Sequence, residues 1–221
     1  MFYGMCKDCE SAMKNYELAV NNNNIVLTPE LTDLAERFFE KAIRLDYPGM
    51  FSCLEGVSLP DGKELCVKEI EGIYKWEATE VCVKTNGELD GNIFNHIKVS
   101  KGMLGAWEAY LLYSVWHVLP LFEHANYHRF DFLISENDIS TVELQEEAHR
   151  AEIVQSIKPF FKKPEIAQKG NHFYITCRYW CKWEGLRQEI VEIIIDENQT
   201  VSSIVDVDRA KLLDYRSNIY F

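Results

Sequence analysis

Most motifs that would announce a specific chemistry are missing from this sequence. It contains no GxGxxG and no GxxxxGK[ST], the two common glycine-built phosphate cradles. It has no G-x-S-x-G elbow to expose a nucleophilic serine and no H-E-x-x-H to hold a catalytic zinc. The stretch "DENQTVSSIVDVD" lacks the glycine and the spacing of a calcium loop. The N-terminus, "MFYGMCKDCESAMK", has no basic segment followed by an apolar run, so no signal peptide is expected. Seven cysteines, an odd number, show no spacing typical of a secreted disulfide framework. A reducing cytoplasm is the compartment this usage implies.

Positive charge is also scarce. Lys and Arg number 23 against 35 Asp and Glu, for a net charge of −12. A surface of that sign repels phosphate, which argues against a nucleic-acid partner. It suits a soluble chain that repels its own copies, or one that meets a basic protein. Long hydrophobic runs are limited to "MLGAWEAYLLYSVWHVLPLF", residues 103–122. Twenty residues can reach across a bilayer. Glu108, His117 and Pro120 are poor residues to face lipid, so a buried helix is expected instead and no membrane partner.

What is present reads as an ordinary globular chain: 221 residues, 47% hydrophobic and 26% charged. Cys6, Cys9, Met13, Tyr16 and Val20 recur at helical spacing, and the asparagines at 21–24 end that helix. Thr28-Pro29 starts a second helix, whose stripe is Leu31, Leu34, Ala35, Phe38, Ala42 and Leu45, with "DYPG" at 46–49 as its stop. Turn signals then crowd residues 50–101, and Asn86-Gly87 is a strong hairpin mark. "NYHRFDFLIS", 126–135, reads as a strand. Ser140 and Glu143 have capping-box spacing and predict a helix of about four turns from 141. "KPFFKKPEIAQKG", 158–170, reads as a loop.

Residues 173–183 give the clearest pattern. Phe173, Ile175, Cys177, Tyr179, Cys181 and Trp183 alternate with Tyr174, Thr176, Arg178, Trp180 and Lys182, which predicts a long strand with one dry face. "QEIVEIII" and "TVSSIVDV" follow as further strands, and the apolar tail is expected to dock. The predicted fold class is α+β: an antiparallel sheet with a C-terminal three-stranded meander and helices packed on one face. No repeat or linker divides the chain, and both halves are acidic, so residues 1–221 read as a single domain with residues 1–27 as a helical arm.

Two clusters invite a functional reading and are given a plain one. His117, His124 and His128 stand close in sequence, but on a strand His124 and His128 lie roughly 13 Å apart, too far to share one ion. Cys6-x-x-Cys9 follows no strand, as a redox pair would, and its only possible zinc partners are Cys177 and Cys181 on one strand. No metal and no cofactor are expected. One asymmetry remains. Residues 158–187 carry Lys158, Lys162, Lys163, Lys169, Arg178, Lys182 and Arg187 against Glu165 and Glu184, a local charge of +5. If Phe173 and Cys177 face inward, Tyr174, Arg178 and Trp180 face outward together, and these are the residue types that anchor protein interfaces. The expectation is a non-enzymatic, cytoplasmic protein-binding protein with a basic partner, of the kind that an immunity protein makes with a toxin. The alternative is a small-ligand-binding protein or enzyme with a pocket lined by Tyr110, His117 and Glu123.

Overall fold

A computed structural model describes residues 7–44, 46–71, 77–116, 130–144, 146–182 and 184–215. These fall into two compact units, each drawn from separate parts of the chain. One comprises Met1–Thr28, Arg129–Glu192 and Ile204–Phe221, and the other Pro29–His128 and Ile193–Ser203. Composition could not reveal such a division, because the chain enters each unit more than once.

The first unit is built on a six-stranded antiparallel sheet. Its strands are β1 (Asn24–Val26), β7 (Phe130–Phe132), β8 (Glu165–Lys169), β9 (His172–Cys181), β10 (Gly185–Ile195) and β11 (Val201–Asp214). The order is β1-β8-β9-β10-β11, with β7 also on β9, and the tips of β10 and β11 belong to the second unit. The predicted C-terminal meander is therefore present, and β11 runs on through the segment "AKLLD" that was expected only to dock. Gly185 opens β10 at φ +89°, and a Cβ there would sit 2.2 Å from the Leu213 carbonyl oxygen, so no side chain fits that turn.

One edge of β9 changes neighbour along its length. Glu165–Lys169 of β8 pairs with the first half, His172–Thr176, and β7 pairs with Tyr179–Cys181. Between them the Leu133 amide donates to the Arg178 carbonyl at 2.8 Å. Two hydrophobic clusters grow on the same sheet face, one on each side of this seam. Helix α1 (Lys7–Asn23) sets Ala12 and Ala19 against Ala167, Tyr174, Ile190 and Val207. Helices α5 (Asp138–Thr141) and α6 (Arg150–Ile157) supply Ile139, Ile153 and Ile157 to the other, with Trp180 and Leu186.

Two local expectations are corrected here. Ser140 caps no helix: it lies inside α5, and its hydroxyl donates to the Asn137 carbonyl. Glu143 has other partners, since Asp131 accepts its amide at 2.6 Å and Lys182 donates to its carboxylate at 2.7 Å. The 158–170 segment is also not all loop, because its end is strand β8.

The second unit holds α2 (Pro29–Ile43), α3 (Tyr47–Ser52), α4 (Met103–Trp116) and strands β2 (Val57–Ser58), β3 (Lys63–Glu71), β4 (Glu77–Thr85), β5 (Glu88–Asp90) and β6 (Lys98–Val99). Helix α2 buries Leu34, Ala35, Phe38 and Ala42, as its spacing predicts. "DYPG" does more than stop it: the Asp46 carboxylate accepts from the Gly49 amide and starts α3. Asn86 and Gly87 both take positive φ, 51° and 88°, the hairpin turn expected of Asn-Gly, between β4 and β5. Helix α4 is buried from Gly105 through Leu112. Its fourteen residues span about 21 Å at the α-helical rise. Among the described residues no helix is long and apolar enough to cross a membrane.

Candidate functional site

The alternation along β9 predicts its strand but not its surroundings. Phe173, Ile175, Cys177, Tyr179 and Cys181 are buried, as the dry face requires. The face expected to be wet is covered as well. Tyr174 and Trp180 are each 0% exposed, so neither is available to a partner, and Arg178 is half-buried. The cause lies far away in sequence: α1 lays Met13 and Tyr16 over Tyr174, and α5 and α6 close over Trp180. Both rings are large apolar bodies with one polar atom, which suits them to a core if that atom is satisfied. The Tyr174 hydroxyl donates to Glu192 Oε1 at 2.6 Å, and the Trp180 indole donates to the Glu143 carbonyl at 2.8 Å. Burial first, then the Glu192 hydrogen bond and charge, push the Tyr174 phenol far above its ordinary pKa, so it remains a neutral donor.

The seam between the two clusters stays open. A cleft of about 180 Å³ lies there, lined by Tyr16, Lys162, Lys163, Glu165, Thr176, Arg178 and Gln188. Each lining residue has an identifiable origin. Tyr16 comes from the α1 stripe, partly buried against Tyr174, and its hydroxyl lies 3.3 Å from the Thr176 hydroxyl. Lys162 and Lys163 belong to the strap that leads into β8, and both side chains are exposed. Neither forms an ion pair among the described residues. Arg178 is fixed from two directions: Nε and Nη2 donate to Gln188 Oε1 at 3.1 and 2.8 Å, and Nη1 donates to the Phe160 carbonyl. Those three bonds leave two of the five guanidinium N–H donors for a ligand. Desolvation lowers the Arg178 pKa, and the charge of Glu165 opposes that shift, but a guanidinium keeps its proton at any physiological pH. Glu165 is itself held, accepting from Asn24 Nδ2 at 2.8 Å.

The basic window of the sequence thus divides in space. Lys182 pairs with Glu143, Arg187 pairs with Glu184, and Lys169 donates to Asn15. Lys162, Lys163 and Arg178 converge on the cleft, where Glu165 is the one acidic lining residue among the described residues. Tyr16, Thr176 and Gln188 were not singled out from sequence. Thr176 shares a strand face with Arg178 and was legible by spacing, but Tyr16 stands 160 residues from Thr176 and no periodicity links them.

The other candidate residues fare differently. His117, Glu123, His124, His128 and Cys6 lie outside the described residues, as does the side chain of Cys9. Tyr110 is wholly buried. Among the described residues no group of three His, Cys, Asp or Glu is placed to hold a metal ion. Two histidines that attracted no attention in the sequence do sit in carboxylate networks. His172 Nδ1 meets Glu192 Oε1 at 2.8 Å, and His96 Nε2 meets Asp90 Oδ2 at 2.8 Å with Lys63 on its other nitrogen. The chain matches no protein-family model, no curated protein and no solved structure.

Proposed function

We propose that this is a non-enzymatic binding protein that grips an anionic group of a protein partner in the cleft beside Arg178. The observation that carries the reading is the convergence of Lys162, Lys163 and Arg178 on one cleft in a chain of net charge −12. The lining offers what an oxyanion needs: three cations, two hydroxyls and an amide. Its size points the same way. Sites for drug-sized ligands run to about 300–1,000 Å³, whereas about 180 Å³ suits a single side-chain-sized group. A carboxylate or phosphate on the partner fills that description. The partner's wider surface is proposed to be basic, because an acidic protein steers such a surface toward itself. Inhibition of a basic toxin in the manner of an immunity protein is one form of this proposal, and it rests on net charge.

Calorimetric titration with glutarate and with inorganic phosphate tests the site. The intact protein should bind at least one of them saturably. The double variant Lys162→Ala/Lys163→Ala removes two exposed side chains and should fold normally. It should bind at least about tenfold more weakly, the loss expected for one charge-assisted hydrogen bond. Equal affinity in the two proteins would remove the cleft from the proposal.

A further inference from the structure

Two thiols of the second unit stand in a relation that sequence spacing does not show. Cys66 of β3 and Cys82 of β4 are directly opposite each other in the antiparallel ladder. Opposed residues in such a ladder have Cα atoms about 4.5 or 5.5 Å apart and side chains on one face. Both values fall inside the roughly 4.4–6.8 Å that a disulfide requires. The sulfur of Cys66 already lies over its neighbour, 3.6 Å from the Cys82 carbonyl oxygen. The two are unequally exposed: Cys66 is partly open to solvent, and Cys82 is 2% exposed. By contrast, Cys177 and Cys181 are four residues apart on one strand, about 13 Å, and cannot bridge.

We infer that Cys66 and Cys82 form a reversible cross-strand disulfide, with a peroxide as the oxidant. Cys66 is the thiol an oxidant reaches. Its thiolate attacks one peroxide oxygen, the O–O bond breaks, and a sulfenic acid forms as hydroxide leaves and is protonated to water. The Cys82 sulfur then attacks the Cys66 sulfur. The S–S bond forms, the S–O bond breaks and a second water departs. Two thiols have lost two electrons and two protons, and the peroxide has gained them. Two glutathione thiols reverse the step by exchange and leave as glutathione disulfide. The bridge fastens β3 to β4 in the register that pairs Lys63 with Thr85 and Glu71 with Glu77. A one-residue slip would turn every side chain of the strand to the other face, and the bridge forbids it.

The test uses the full chain with Cys6→Ser and Cys9→Ser, so that a bridge between those two cannot be mistaken for this one. After stoichiometric hydrogen peroxide, the intact protein should be lighter by about 2 Da, the mass of two hydrogens. A non-reduced digest should yield a peptide joining Cys66 to Cys82, and reduced glutathione should restore the starting mass. Amide exchange across β3 and β4 should slow in the oxidised form. Cys66→Ser, a change at a partly exposed site, should abolish the mass loss. A stable oxygen adduct on Cys66, with Cys82 still open to alkylation after unfolding, would overturn the inference. So would a bridge to any other cysteine.

Discussion

Trp180→Ala should destabilise the protein by about 3–5 kcal/mol, the cost typical of removing a fully buried tryptophan. Trp180 is 0% exposed and packs with Leu133, Ile139, Val142, Leu144, Ile153, Ile157 and Leu186. Its ring lies 5.1 Å from that of Tyr215, and its indole nitrogen donates to the Glu143 carbonyl at 2.8 Å. Alanine leaves a cavity in this cluster and withdraws the indole donor from that carbonyl. Domains are commonly stable by about 5–15 kcal/mol, so the variant should approach the limit of folding. Urea titration followed by circular dichroism measures it: the midpoint should fall sharply, with Trp180→Phe recovering part of the loss. A midpoint like that of the unaltered protein would show that this face of β9 is not packed as described.

Glu108→Ala should rank second, at roughly 2–4 kcal/mol, because it leaves buried donors without an acceptor. Glu108 is the one acidic residue of α4 and is 0% exposed. Its two carboxylate oxygens accept from the Glu55 amide at 2.9 Å and the Gly56 amide at 2.6 Å. This explains why so apolar a helix retains a carboxylate: it ends the hydrogen-bonding deficit of the turn before β2. Burial raises its pKa above the ordinary 4.5, and the backbone donors at Glu55, Gly56 and Val57 oppose that rise. Between 4.5 and the raised folded-state value the folded chain therefore holds a proton that the unfolded chain has released. The contribution of this group to stability is greatest below 4.5 and declines as pH rises through the folded-state value. Glu108→Gln should flatten that decline in thermal midpoints measured across the same range. A decline that persists unchanged would assign it to other carboxylates.

The elements were largely legible because their signals are local. Asn86-Gly87 carries its turn in two residues, and the α2 stripe repeats within fifteen. Alternation from 173 to 181 fixed β9 and the C-terminal meander. What it could not convey was coverage. Period two reports that neighbouring side chains point to opposite faces, and it is silent on what lies beyond each face. Tyr174 and Trp180 fit an exposed interface or a core equally well, and the elements that decide between these, α1 and α5–α6, are distant in sequence. The Ser140–Glu143 spacing failed for a similar reason, since Asp131 of β7 and Lys182, in the turn just after β9, hold Glu143 from other parts of the chain. The cleft was half visible. The charge of residues 158–187 was evident, but its concentration at Lys162, Lys163 and Arg178 depends on β9 changing neighbour at Arg178, a tertiary event.

The proposed recognition site is tested most directly by titrating ¹⁵N-labelled protein with inorganic phosphate and with glutarate while following its amide resonances. Saturable shifts should gather at Tyr16, Lys162, Lys163, Thr176, Arg178 and Gln188, and should vanish in Lys162→Ala/Lys163→Ala. Shifts scattered over other lysines, rising linearly with anion concentration and unchanged in the double variant, would contradict it.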